Sequence, residues 1–496
     1  MTGTTDDKHR HGPRRRPAIP ALARAALLAA LLALTLPGAA LADDIEDRLD
    51  RIIGNPCLKR GRVCMVVRSL KNGNTIYEKN PDLLMTPASN MKIITAAVAL
   101  KTLKPWYKFD TIFSYTGTRK GETIEGDLVV SGRGDPHLVS EDLWLIANEV
   151  RKRGITRITG GIILDDGYFD GEFFPAGWRL SSIRRAFEAP LSALALNFNT
   201  VTVMIYPDPS GAKPMVVVDP ATPYFKLVNR MTYGNGGRKF VAIRMKPRPG
   251  GGETMEVLGR IRPGGGELTY YRAVANPVRY FGDTFKTLLT GMGVAVDGGI
   301  LNAPPSRPTT KFFVHSSRPL LHQVMDMNKF SNNFMAEQIL KTVGAEKVSA
   351  PGTINKGLTV AESVMAEWGI TQDRYRFVDG SGLSKDNKVS CSALTDVLDR
   401  LYHEFEAGPE FISSLAVMGK DGSVRERDIG ASNPVKVKTG TLDSVSAISG
   451  YYPLKNGDVL GFSMIFNDLA CYNGMAHQIQ NHLLTELSSL NGHAAE

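Results

Sequence analysis

The chain has 496 residues, 43% of them hydrophobic and 22% charged, with a formal net charge of +9. That length allows two or three domains with a proper core, and the balance is ordinary for a globular protein. Residues 1–42 hold six Lys/Arg and two Asp, which leaves the remainder near +5. So mild an excess does not suggest a nucleic-acid binder and gives only a slight preference for a polyanionic partner.

Residues 1–42 read as a secretory signal peptide. Arg14, Arg15, Arg16 and Arg24 make a basic start, and Ala25 to Leu36 is an unbroken run of Ala, Leu and one Thr. Pro37-Gly38 breaks the run, and Ala40-Leu41-Ala42 supplies small residues for cleavage after Ala42. The run is short for a bilayer span of about 20 residues, so no stable membrane anchor is expected after cleavage. Of the four cysteines, Cys57 and Cys64 flank a basic turn that could bring them together. In an oxidising compartment they read equally well as a disulfide or as free thiols, while Cys391 and Cys471 read as buried thiols. No Cys/His spacing resembles a metal site.

A short helix is expected over Ile45 to Ile53. Arg62 to Val67 and Asn74 to Tyr77 read as strands joined at Lys71-Asn72-Gly73, an Asn-Gly hairpin turn. An Ala-rich helix follows, headed by Pro87-Ala88-Ser89-Asn90-Met91-Lys92 and ending near Lys104-Pro105. Residues three apart share a helix face, so Lys92 can reach the hydroxyl of Ser89. Burial would lower the lysine pKa, and a neutral amine can activate a serine. Ser89 reads equally well as a helix cap beside a surface lysine. The pattern also occurs at Ser210-Gly211-Ala212-Lys213, in turn chemistry with no helix to follow.

Residues 110–310 are richer in Gly, Pro and short strands: Leu128-Val129-Val130, Gly161 to Leu164, Val201 to Ile205 and Met215 to Val218. Only Glu141 to Arg153 and Tyr280 to Met292 look helical there. We expect one or two β-rich domains inserted into a single catalytic domain. After Lys311, helices are expected over Leu320 to Met327, Phe334 to Val343, Val360 to Trp368 and Ala393 to Phe405. Strands are expected over Val435 to Lys438, Ala447 to Tyr452 and Val459 to Phe466, with a turn at Asn456-Gly457. A last helix, Met475 to Leu487, should pack back on this sheet.

Two further motifs change the weight of Ser89. Lys329-Phe330-Ser331-Asn332-Asn333-Phe334 places Ser331 and Asn333 at a helix entrance, where capping by Ser331 or Asn332 is the plainer reading. Lys436-Val437-Lys438-Thr439-Gly440-Thr441 ends a strand with a cation, two hydroxyls and a glycine that lets a ligand approach the backbone. The backbone N–H groups of Ser89 and Thr441 could pair as an oxyanion hole. Each motif is weak alone. The ordered set S-x-x-K, S-x-N and K-T-G, each in its expected context, is strong.

With these motifs the chain resembles the active-site serine penicillin-binding proteins. Within them it resembles the low-molecular-mass type 4 group, D-alanyl-D-alanine carboxypeptidases that also act as endopeptidases. Gly132-Arg133-Gly134-Asp135-Pro136, Asn197-Phe198-Asn199 and Asp379-Gly380-Ser381-Gly382-Leu383-Ser384 match as well, as does the long gap from Lys92 to Ser331. The resemblance implies an α+β fold: a penicillin-binding/β-lactamase-like transpeptidase domain, an antiparallel sheet with helices, carrying two inserted β-rich domains. The catalytic domain would comprise residues 43–108 and 311–496, the first insert 109–195 and 273–310, and a nested insert 196–272.

The resemblance also implies roles. Ser89 would attack the carbonyl between two D-alanines of a peptidoglycan stem peptide, with Lys92 as base. Ser331 would assist proton transfer, Asn333 would hold the substrate, and Lys438, Thr439, Gly440 and Thr441 would form the wall that binds the terminal carboxylate. β-Lactams would acylate the same serine. Asp165, in the inserted region, is a guess for the amine of a diaminopimelate side chain, with a plain turn aspartate as the alternative. No cofactor, metal or nucleic acid is implied, and the location would be exported, periplasmic. The competing readings are a β-lactamase or esterase on the same fold and a catalytically silent wall-binding protein. No glutamate can be assigned as a deacylating base, which argues against the β-lactamase.

Overall fold

Strands from both ends of the chain build the central sheet. In a computed structural model, residues 37–181, 184–208, 210–234 and 240–492 are described. Six strands run in the order Thr75–Lys79, Arg62–Ser69, Val459–Asn467, Val445–Pro453, Lys436–Leu442 and Ala416–Val417, each pair antiparallel. Arg62–Ser69 pairs along its full length with Val459–Asn467, with Val63 opposite Phe466. Val459–Asn467 is buried at every position after the first, as expected of a strand covered on both faces. Its cover includes the helices Cys391–His403 on one strand group and Asn473–Leu487 against Val445–Pro453.

The Ala-rich helix is Met91–Leu103, and every residue from Met91 to Leu100 is buried, Lys92 included. A helix apolar all round belongs in an interior. This one is surrounded by Leu320–Lys329, Asn333–Lys347, Ile354–Glu367 and Cys391–His403. Together they share one hydrophobic core with the buried face of the sheet.

Two further cores lie in the stretch between. Ile300–Asn302, Ile162–Asp165, Leu128–Gly132, Asp110–Thr116 and Thr309–Ser316 form a five-stranded mixed sheet, packed by the helices Ser140–Lys152 and Pro277–Gly291. Two three-stranded sheets make the other. One is Met215–Asp219, Thr200–Tyr206 and Leu268–Ala273; the second is Phe225–Tyr233, Glu253–Ile261 and Phe240–Pro247. Val203, Ile205, Met255 and Val257 are at their shared centre. The α+β class and the β-rich inserted region are therefore as expected, although the strands from Phe225 to Ala273 were not read from the sequence.

The cysteines require a correction. Cys57 is bonded to Cys471 and Cys64 to Cys391, with Cα separations of 5.2 and 5.9 Å. The turn between Cys57 and Cys64 sends them to different partners. Cys64 lies on the strand Arg62–Ser69 facing the start of Cys391–His403, and Cys57 lies beside the loop after Val459–Asn467, where its carbonyl accepts from Ala470 N at 3.2 Å.

Residues 52–496 are one compact unit. The leader expected over residues 1–42 lies outside the described residues except at its end, which is helical from Pro37 in Pro37–Ile53. Among the described residues no helix is long and apolar enough to cross a membrane.

Candidate active site

Ser89 precedes the long helix in a single 3-10 turn, Ala88–Asn90, which starts from Ala88 at a φ of 47°. The space around that turn is tight. A β-carbon on Gly440 would stand 2.6 Å from Pro87 O and 2.9 Å from Ser89 N, so the glycine lets the Lys438 strand pass directly beside Ser89. Ser89 makes no cap. Its Oγ accepts from Lys92 Nζ at 2.9 Å.

Lys92 is fully buried, and its ammonium also donates to Asn333 Oδ1 at 2.7 Å and to Ser381 O at 2.7 Å. Burial pulls its pKa down from 10.5 to about 7, against the opposing pull of the Glu337 and Asp379 carboxylates. A lysine poised there can be neutral and accept a proton at physiological pH.

Asn333 starts the helix Asn333–Lys347. Asn332 is the cap, its side chain accepting from Met335 N at 3.1 Å, which frees both neighbours. Ser331 sits at a φ of 55°, and its Oγ accepts from Lys438 Nζ at 3.0 Å. Lys438 also donates to Thr439 O at 2.7 Å. Its pKa is held well below 10.5, first by burial and then by the Lys92 charge. An arriving anion would favour its ammonium form. Thr439 shares a 2.6 Å hydrogen bond with Ser423, and the exposed Thr441 lies 3.5 Å from His477 Nε2.

The turn Asp379 to Ser384 supports Lys92 from below. Glu337 accepts from Gly380 N and Ser381 N at 2.9 and 2.7 Å, and burial and the nearby Asp379 push its pKa up. Asp379 accepts from Gly382 N and Ser384 N at 2.7 Å each, Asn387 Nδ2 at 2.8 Å and Trp178 Nε1 at 3.0 Å. Trp178 belongs to the inserted region, and so does Phe187, whose carbonyl accepts from Asn333 Nδ2 at 3.1 Å. That bond fixes the amide so that Oδ1 faces Lys92.

The structure thus brings Ser89, Lys92 and Asn333 into one hydrogen-bonded group, with Ser331 and Lys438 in a second, and sets Gly440 against the backbone of Ser89. Asp165 is elsewhere in the hydrogen-bond pattern. It ends the strand Ile162–Asp165 and accepts from Ser131 Oγ at 3.0 Å and Gly167 N at 3.2 Å. Glu337 and Phe187 were not foreseen. Glu337 lies one helical turn beyond Asn333, a spacing that puts both on one face.

Residues 45–486 match the model of the D-Ala-D-Ala carboxypeptidase 3 (S13) family. A D-alanyl-D-alanine carboxypeptidase of Actinomadura is 32% identical, covering 97% of this chain and 94% of the relative. Among solved structures, penicillin-binding protein 4 of Haemophilus influenzae superposes with a TM-score of 0.76 at 21% identity, over 89% of this chain and 99% of that one. The same protein complexed with a β-lactam gives a TM-score of 0.72 at 20% identity with the same coverage.

Proposed function

We propose that this chain, which belongs to the D-Ala-D-Ala carboxypeptidase 3 (S13) family, is a serine-type DD-peptidase of peptidoglycan stem peptides, working through an acyl-enzyme on Ser89. One observation carries the reading: a buried Lys92, with its pKa near 7, donates to Ser89 Oγ, Asn333 Oδ1 and Ser381 O at once.

Neutral Lys92 takes the hydroxyl proton as Ser89 Oγ attacks the carbonyl carbon between two D-alanines. The oxyanion forms between the N–H groups of Ser89 and Thr441, a reading supported by the closeness of Gly440 to Ser89 N. The carbon–nitrogen bond breaks, and the leaving amine takes the proton that Lys92 holds, relayed by Ser331. Lys438 and Thr439 hold the carboxylate of the leaving D-alanine, an anion that favours the charged form of the lysine. Water then attacks the ester, Lys92 again accepts the proton, and Ser89 is released. The same bond occurs in cross-links, where the leaving amine is a side chain of a second stem. β-Lactams enter as slowly released acylating agents. Two disulfides support an exported, oxidising location.

Incubation with fluorescent penicillin, followed by measurement of D-alanine release from a stem pentapeptide, tests this. The wild type should carry stable label and release D-alanine. Ser89→Ala should do neither. Label surviving in Ser89→Ala sinks the nucleophile, and rapid turnover of penicillin would favour a β-lactamase.

A further inference from the structure

A turn outside the three motifs reaches the strand that carries Lys438 and Thr439. Gly422–Val424 is a single 3-10 turn entered through Asp421. Ser423 is exposed on it, and its Oγ lies 2.6 Å from the hydroxyl of Thr439, in a bond where either oxygen can donate. Thr439 itself is only 9% exposed.

The turn is held by the segment that leads into Ser331. Asp421 accepts from Val417 N at 2.8 Å and from Lys329 Nζ at 2.5 Å. Lys329 ends the helix Leu320–Lys329, two residues before Ser331, and also donates to Leu415 O at 3.1 Å. Gly422 has a φ of 56°, and a β-carbon on it would stand 2.7 Å from Lys329 O. Only a glycine lets the turn rest on that backbone in this conformation. Lys329, Asp421 and Gly422 therefore anchor Ser423 between the Ser331 segment and the Thr439 strand.

The direction of the Ser423–Thr439 bond has a chemical consequence. A hydroxyl has one proton to give and two lone pairs to receive with, whereas an ionised carboxylate only accepts. Thr439 can donate to an arriving carboxylate only if it donates nothing to Ser423. Ser423 must then be the donor in their shared bond. Two orders are open before substrate arrives, and the anion selects one. In such a chain each donor is strengthened by the bond it receives.

We propose that Ser423 is a positioning residue for the carboxylate of the leaving group: it donates to Thr439 and so aims the threonine proton at the anion. The role rests on the DD-peptidase reading and adds to it a residue that orients Thr439. Because Ser423 acts through Thr439, its loss should be felt by substrates whose leaving group carries an anion and not by those whose leaving group is neutral.

Two thioesters of one acyl-D-alanine separate the two cases. One releases thioglycolate, which carries a carboxylate, and the other releases ethanethiol, which does not. The wild type should favour the first in kcat/KM. A neutral hydrogen bond is worth a factor of roughly 2 to 10, so Ser423→Ala should lower kcat/KM for the thioglycolate ester by about that much and leave the ethanethiol ester unchanged. Ser423→Thr keeps a hydroxyl there and should retain the preference. The ratio of the two esters is internal, so a variant that is merely misfolded lowers both rates and leaves it intact. A ratio unchanged in Ser423→Ala overturns the proposal, whether both rates stay or both fall together. So does a ratio lost equally in Ser423→Thr. A wild type that takes fluorescent penicillin but ignores the carboxylate removes the wall of Lys438 and Thr439, and the role of Ser423 with it. A wild type that takes no penicillin and cleaves neither ester sinks the peptidase reading as a whole.

Discussion

At the residue scale, Lys92 decides the pH behaviour. Its pKa is near 7, lowered by burial and held from falling further by Glu337 and Asp379. Only the neutral amine accepts the Ser89 proton. The rate of penicillin acylation should therefore fall about tenfold per unit below a pH of about 7 and level off above it, read by stopped-flow labelling across pH. Gly440→Val should cost roughly a hundredfold or more in acylation, because the contacts at Pro87 O and Ser89 N are backbone and cannot turn away. The motif residues were legible because the chemistry needs them at short spacings, with Ser89 and Lys92 three apart on one turn. Glu337 and Phe187 were not, because each acts on a segment far away in sequence, Glu337 on the turn at Gly380 and Phe187 on the helix start at Asn333. The roles of Ser331 and Asn332 also needed coordinates: the cap at Asn332 is what leaves Ser331 to Lys438.

At the element scale, residues 166–181 and 184–194 form a strap from the inserted region to the catalytic core. Lys341, 1% exposed on its side chain, pairs with Asp170 of the strap at 2.5 Å. Asp166 accepts from Leu194 N at 2.9 Å, and Trp178 supplies one of four donors to buried Asp379. Trp178→Phe leaves a buried carboxylate oxygen one donor short and should destabilise the protein by about 1–3 kcal/mol in urea denaturation. An unchanged midpoint would mean that water replaces the indole. The catalytic helices were legible from their apolar period, and the hairpin from Asn72-Gly73. The strands of the second inserted core were harder. Phe225–Tyr233 buries only Met231 fully, so alternation is blurred, and its partner Glu253–Ile261 runs parallel to it, which no local turn announces.

At the scale of the whole compact unit, from residue 52 onward, the two disulfides close loops with sequence separations of 414 and 327 residues. Closing a long loop removes freedom from the unfolded chain, and losing such a bridge typically costs about 2–5 kcal/mol. Dithiothreitol should therefore lower Tm in a thermal scan, and Cys57→Ser with Cys471→Ser should reproduce part of the drop. An unshifted Tm in both would deny the bridges a role in stability. Their pairing was beyond sequence reading because cysteine spacing carries no signal across such separations, and the nearest pair, Cys57 and Cys64, invited the wrong bond. The overall architecture was legible for the opposite reason: the long gap within an ordered set of motifs leaves room for sheets beyond the catalytic core.

The pairing of Arg62–Ser69 with Val459–Asn467 has a consequence in time. A ribosome adding about 5–20 residues per second needs roughly 20–80 seconds to deliver Phe466 after Val63. Through that interval the first hairpin lacks the neighbour that covers its open edge, a surface that invites pairing with another chain. The inserted sheets are complete well before. The catalytic domain is thus the last part of the chain to be finished, and until Lys436–Leu442 arrives the serine has no wall to work against.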